Sequence, residues 1–229
     1  MDINPISFWY KKNLVDINGG FNPLNSKSTE KRKLINLEPW DNVRRDMFYL
    51  LLKNIEDNNI PGCFAELGVY QGSTAKLIHH YSPYRELYLF DTFDGFTEKG
   101  IKFENEKTGN IYLSKQFSDT SQAAVINYLK PQNNNIRICP GFFPESLEED
   151  HFSLSFAFVH IDADLYQPIY DGLEFFYPLL NNGGIILVHD YHAWPGAFKA
   201  VNDFSKKYKL SFVPMPDKSG SVVFIKNEK

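Results

Sequence analysis

The sequence is poor in cysteine. Cys63 and Cys139 are the two in 229 residues, and both fall in short apolar runs that read as buried strands. That argues against a secreted disulfide framework, and two separate core thiols in a reducing compartment are expected. No apolar run is long enough to span a bilayer, so no membrane association is expected. The opening Met1-Asp2-Ile3-Asn4-Pro5, with Lys11 and Lys12 soon after, carries no signal-peptide stretch, and a cytoplasmic location is expected. Positive charge is not in excess either. Lys and Arg number 24 against 28 Asp and Glu, a formal net charge of −4. Binding of a phosphate backbone needs the opposite balance, so no nucleic-acid partner is expected. Repeats, low-complexity tracts and internal linkers are also missing, and the length suits one α/β domain. Residues 1–36 read as a polar irregular arm or lid, and 37–229 as a single domain.

What is present is a regular alternation of patterns. From Pro39 to Asn58 apolar residues recur at helical spacing (Trp40, Val43, Met47, Leu50, Leu51, Ile55), with Asp41 an acidic residue suited to the first turn. Strand-like runs follow at Cys63–Leu67, Leu87–Phe90, Ile136–Cys139, Phe156–Ile161 and Ile185–Val188. Helix-length stretches separate most of them, at Gly72–His80, Ser118–Leu129 and Ile169–Leu180. This order predicts parallel strands with crossover helices. A helix over Gly196–Tyr208 and an antiparallel hairpin (Leu210–Val213, Ser221–Ile225) complete a mostly parallel seven-stranded α/β sheet.

Ligands of such sheets bind beyond the carboxyl ends of the strands, so the residues just after each run carry the information. After the first comes Glu66-Leu67-Gly68-Val69-Tyr70-Gln71-Gly72-Ser73. Gly68 allows a tight turn, and Gly72 opens the helix. Glu66 would repel a pyrophosphate but attract the amino group or sulfonium of a methionine moiety, so this is not a dinucleotide fingerprint. Asp91, in Asp91-Thr92-Phe93, stands roughly 20 residues on, where a carboxylate receives ribose hydroxyls. Gly141-Phe142-Phe143 follows the third run, either bordering an adenine or filling the core.

The fourth run ends in His160-Ile161-Asp162-Ala163-Asp164-Leu165-Tyr166, and the fifth in His189-Asp190-Tyr191. Two carboxylates this close should face water, a metal or a proton transfer. Asp162, Asp164, His189 and Asp190 together offer oxygen and imidazole ligands for a divalent ion. His79, His80 and His151 have no such company and read as surface residues.

These segments resemble the macrocin O-methyltransferase family, whose members methylate sugar hydroxyls of antibiotics. The likeness runs from about Pro61 to Phe204. It is carried by Glu66–Ser73, Leu89–Phe96, Gly141–Leu147, Ile161–Tyr166, Leu173–Gly184 and His189–Phe204. It implies a Rossmann-like class I methyltransferase using S-adenosylmethionine. Glu66, Gly68 and Asp91 would hold the cofactor, with Tyr70, Gly72, Ser73, Thr92, Phe93, Gly141, Phe142 and Asp162 around it. Asp162 and Asp190 would ligate magnesium, with His189 beside them, and Asp164 would be the general base. One departure stands out: the family usually has two acidic residues before the tyrosine, and here the first is His189. Magnesium prefers oxygen donors, which leaves manganese, a two-carboxylate site or no metal open.

The expected reaction is direct methyl transfer to a hydroxyl of a sugar-containing small molecule, with Asp164 taking the proton. The arm, the Phe93–Lys115 insertion and Tyr191–Gly196 are candidate lids. The alternatives are a catechol-type O-methyltransferase, a nicotinamide-dependent oxidoreductase and a non-catalytic adenosine sensor. The acceptor, an antibiotic or a surface polysaccharide, and a homo-oligomeric state stay open.

Overall fold

The computed structural model describes residues 41–109, 115–131 and 134–227. The expected arm over residues 1–36 lies outside them.

Helix α1 spans Asn42–Asp57 and β1 Cys63–Leu67; α2 follows at Ser73–Tyr81 and β2 at Leu87–Asp91. Then come α3 (Glu98–Thr108), α4 (Gln122–Leu129), β3 (Ile136–Pro140) and a 3₁₀ turn at Glu149–Ser153. The second half runs β4 (Phe156–Ile161), α5 (Tyr166–Leu179), β5 (Leu180–Val188), α6 (Pro195–Tyr208), β6 (Val213–Pro214) and β7 (Val222–Ile225). The strands form one sheet in the order β3-β2-β1-β4-β5-β7-β6. The first five are parallel, and β7 runs antiparallel to both β5 and β6. Strand order reverses between β1 and β4, the switch point at which a doubly wound sheet opens a crevice.

Every residue of β4 is buried, as an apolar run covered on both faces requires. One face carries Ile169, Leu173 and Phe176 of α5 with Ala197, Val201 and Phe204 of α6. The other carries Phe48, Leu52 and Ile55 of α1, Leu77 and Ile78 of α2, and Val125 and Leu129 of α4.

The differences from the sequence reading have local causes. Asp41 is the N-cap of α1 and not a first-turn residue: its carboxylate accepts from the amides of Val43 and Arg44. Helix α4 begins after Ser121, whose hydroxyl caps the amide of Ala124, four residues later than expected. Helix α5 starts at Tyr166 because Pro168 is tolerated in a first turn, where its missing N–H costs nothing. The insertion after Phe93 contains α3, capped by Thr97 and ended by the left-handed Gly109. The Tyr191–Gly196 segment is a hydrogen-bonded turn with Tyr191 buried. Two of the three histidines read as surface residues are buried. His79 lies in α2, and His151 packs against Cys139 with its Nδ1 accepting from the Glu148 amide.

Candidate active site

The loops at the carboxyl ends of β1, β2, β3, β4 and β5 enclose a cavity of about 310 Å³, at the small end of the range for ligand pockets. Of the expected residues, Gly68, Tyr70, Ser73, Asp91, Thr92, Gly141, Phe142, Asp162, Asp164, His189 and Asp190 line it. Glu66, Gly72 and Phe93 do not.

Gly68 has φ +89, and a Cβ there would collide with the backbone carbonyl of Asp162. The turn after β1 therefore passes against β4 in a way that only glycine permits. Gly72 is also left-handed, but its missing Cβ makes room for Val125 of α4, so it serves packing beneath the loop. Phe93 is buried among the apolar side chains of the α1/α2 face, while its amide donates to Asp91 Oδ1 at 2.7 Å. Asp91 Oδ2 accepts from the amides of Val69 (2.6 Å) and Tyr70 (2.9 Å). Three backbone donors thus fix this carboxylate at the cavity wall, leaving about one of its roughly four acceptor positions for a hydroxyl. Phe142 faces the cavity, whereas Phe143 also packs inward, stacked on Phe176 at 5.8 Å.

The position of Glu66 follows from strand register. Glu66 of β1 lies opposite His160 of β4, and their side chains meet at 2.8 Å, Oε1 to Nδ1, in a fully buried pair. Burial, then the charge of Asp162, holds the Glu66 carboxyl well above the usual carboxylate range. Burial likewise holds His160 well below that of imidazole. Neither residue lines the cavity, and Glu66 Oε2, the oxygen turned away from His160, is buried without a hydrogen-bond partner.

Two residues beyond His160, on the same side of the strand, Asp162 reaches the cavity. Helix α1 covers that side. Its Phe48 contacts the His160 ring edge-on at 4.9 Å. One turn earlier, Arg44 Nη2 donates to Asp162 Oδ2 at 2.5 Å. The spacing of four in the helix matches the spacing of two in the strand. Arg44, which the strand-end motifs give no reason to single out, also lines the cavity.

His189 follows β5 and lies beside Asp162, its amide bonded to the Ile161 carbonyl. Its Nδ1 is 3.1 Å from Asp162 Oδ1 and 3.1 Å from Asp190 Oδ1, and its Nε2 is 3.4 Å from Asp217 Oδ2. Burial opposes its charge, but the carboxylates of Asp162, Asp190 and Asp217 outweigh it and raise the imidazole to about 11. Asp217, from the loop before β7, is anchored by the amide (2.6 Å) and hydroxyl (2.8 Å) of Ser221. Burial resists ionisation of Asp162, yet His189 and Arg44 hold it well below the carboxylate range. Asp164 goes the other way: burial, then Asp162 and Asp190, push it well above. Asp164 (φ +58) and Asp190 (φ +60) are both left-handed, a conformation that costs a non-glycine residue about 1–2 kcal/mol and clusters at functional sites.

Asp162, His189 and Asp190 do converge, with one ligand atom of each within 4.8 Å of the others. Arg44 already holds Asp162 Oδ2, and the His189 nitrogens face Asp162, Asp190 and Asp217. A set of one imidazole and two carboxylates, one of them paired with a guanidinium, is a poor fit for a hard divalent ion, which prefers oxygen donors.

The model for the family described as macrocin-O-methyltransferase (TylF) matches residues 41–225. The chain belongs to the macrocin O-methyltransferase family. It is an O-methyltransferase, and S-adenosylmethionine is the methyl donor expected of it. It is similar to demethyldecarbamoylnovobiocin O-methyltransferase of Streptomyces niveus, 23% identical over 187 residues that cover 78% of this chain and 69% of that protein. It is also similar to a 4′-O-methyltransferase of Streptomyces olivaceus acting on a dimethoxyrhamnosyl-tetracenomycin, 24% identical over 196 residues (79% and 72%). Among solved structures, the O-methyltransferase NovP matches with a TM-score of 0.65 at 20% identity, covering 90% of this chain and 84% of NovP. The calicheamicin methyltransferase CalS11 matches with a TM-score of 0.62 at 18% identity (100% and 95%). Both share the class I fold. In this methyltransferase the Gly68 turn and Asp91 line the cavity together with Asp162, Asp164 and Asp190.

Proposed function

We propose that the protein methylates a hydroxyl of a sugar, or of a sugar-bearing small molecule, with Asp164 as general base. The observation that carries this reading is that Asp164 and the Gly68–Asp91 corner line one cavity. The relatives support the acceptor class: one acts on a novobiocin precursor and another on a rhamnosyl group, by their names.

S-adenosylmethionine, when bound, supplies a methyl group already activated on a sulfonium. The residues that would hold it are Gly68, Tyr70, Ser73, Asp91 and Thr92 on one side and Gly141 and Phe142 on another. The remaining acceptor position of Asp91 suits a ribose hydroxyl, and the ring of Phe142 suits a flat base. Asp164 then takes the acceptor's proton as the new C–O bond forms, since a neutral alcohol must lose it in the transfer. Phe96 and Phe117 narrow the cavity from the loop side and exclude water that would compete for the methyl group. A reducing compartment, the cytoplasm, suits the two unpaired thiols Cys63 and Cys139.

The test is methyl-labelled S-adenosylmethionine offered with nucleotide-linked deoxysugars, glycosylated aromatics and simple catechols. Label on a sugar oxygen is the expected result. Label on catechols alone would replace the sugar reading with the catechol one.

A further inference from the structure

We propose that Arg44 and His189 take the place of a divalent ion in this site, so that the enzyme works without a metal. The inference rests on the methyl-transfer reading of the cavity and concerns which cation serves it.

Arg44 is held where a cation is needed. It lies in the first turn of α1, where the helix dipole disfavours positive charge, so something else must hold it there. That something is Asp162 at 2.5 Å. Its approach is fixed from behind, because Asp41 Oδ1 caps the Val43 and Arg44 amides while Asp41 Oδ2 accepts from Lys218 N at 3.0 Å. Phe48, one turn on, fixes the helix against His160.

His189 is turned to the chain's own carboxylates. Its Nδ1 faces carboxylate oxygens of both other candidate ligands, and its Nε2 faces Asp217. The His189 that stands where the family has an acidic residue therefore puts an imidazole nitrogen, not a hard oxygen, against Asp162 and Asp190.

The chemistry is served in the same way. During transfer the sulfur–methyl bond breaks to leave a neutral thioether, the oxygen–methyl bond forms, and the hydroxyl proton passes to the Asp164 carboxylate. Negative charge developing on the acceptor oxygen needs a fixed positive neighbour. Arg44 and His189 both line the cavity.

The experiment is a titration of the full chain with Mn²⁺, followed by calorimetry and by the electron-spin signal of free Mn²⁺, with S-adenosylhomocysteine present. The wild type should bind no stoichiometric ion. The double variant Arg44→Gln/His189→Asp, which restores two free acidic ligands, should bind one ion at least about 100-fold more tightly. Circular dichroism and the single variant His189→Asp guard against misfolding, and the single variant should gain part of the affinity. Tight binding of one Mn²⁺ by the wild type would overturn the proposal, as would folded variants that gain no affinity. Failure of S-adenosylhomocysteine to bind is a separate result: it strikes the methyltransferase reading and leaves the metal titration interpretable without it.

Discussion

Arg44 Nη2 and Asp162 Oδ2 lie 2.5 Å apart, joining the first turn of α1 to the end of β4 across 118 positions of sequence. The contact is the point where the helix face and the strand face meet at the cavity. Its removal should be felt in chemistry more than in cofactor binding. Arg44→Gln is expected to lower turnover about 100-fold or more and stability by about 1–3 kcal/mol. Arg44→Lys keeps the charge without the planar fork and should fall between. Steady-state kinetics and urea unfolding check both, and wild-type turnover in Arg44→Gln would remove the residue from the mechanism.

Asp164→Asn keeps the shape of the side chain and removes its basicity. Turnover should fall by a factor of about 10²–10⁴, while affinity for S-adenosylhomocysteine stays near that of the wild type. Equal losses in both would make Asp164 a binding residue.

Glu104 of α3 is fully buried, and its Oε2 accepts from the Tyr166 amide at 2.7 Å, at the start of α5. Gly196, in the first turn of α6, abuts the same carboxylate, which a Cβ there would strike. One carboxylate thus lies at the N-terminal ends of two helices, where helix dipoles favour it. Gly196→Ala and Glu104→Ala should each destabilise by roughly 1–3 kcal/mol in urea unfolding. Because α5 directly follows the Asp162–Asp164 loop, turnover should drop in both. An unchanged midpoint in Gly196→Ala would show that the packing there yields freely.

His79 is buried in α2 with Nδ1 unpartnered, and burial, then His80, lowers its pKa from 6.5. The unfolded chain therefore takes up a proton below about pH 6.5 that the fold refuses, so this stability is full above that pH and lost as pH falls. His79→Leu should show a shallower loss of stability than the wild type between about pH 7 and pH 5. Parallel curves would mean that His79 is protonated in the fold.

The sheet was legible because parallel strands buried on both faces are written as continuous apolar runs: Phe156–Ile161 could hardly be anything else. The cavity was legible too, since chemistry in this architecture gathers at strand ends, and Asp91, Asp162, Asp164 and Asp190 all stand there. What sequence could not give is what lies across the fold. Glu66 reads as a ligand by its motif, and its contact with His160 comes from strand register, which no local pattern announces. Arg44 and Asp217 sit in a helix turn and a distal loop, with no local pattern that ties either to β4. A signal for Arg44 did exist in its position four residues before the core residue Phe48. Helix α3 was hidden because its charged sequence, Glu98–Thr108, has a weak apolar period, and its Thr97 cap is the one clear mark.

Calorimetric titration with S-adenosylhomocysteine tests the assignment most directly. The expected result is one site per chain with micromolar affinity, weakened about tenfold or more in Gly68→Ala, where strain and the Asp162 carbonyl oppose the new methyl. No binding by the folded wild type would contradict the methyltransferase assignment of this cavity.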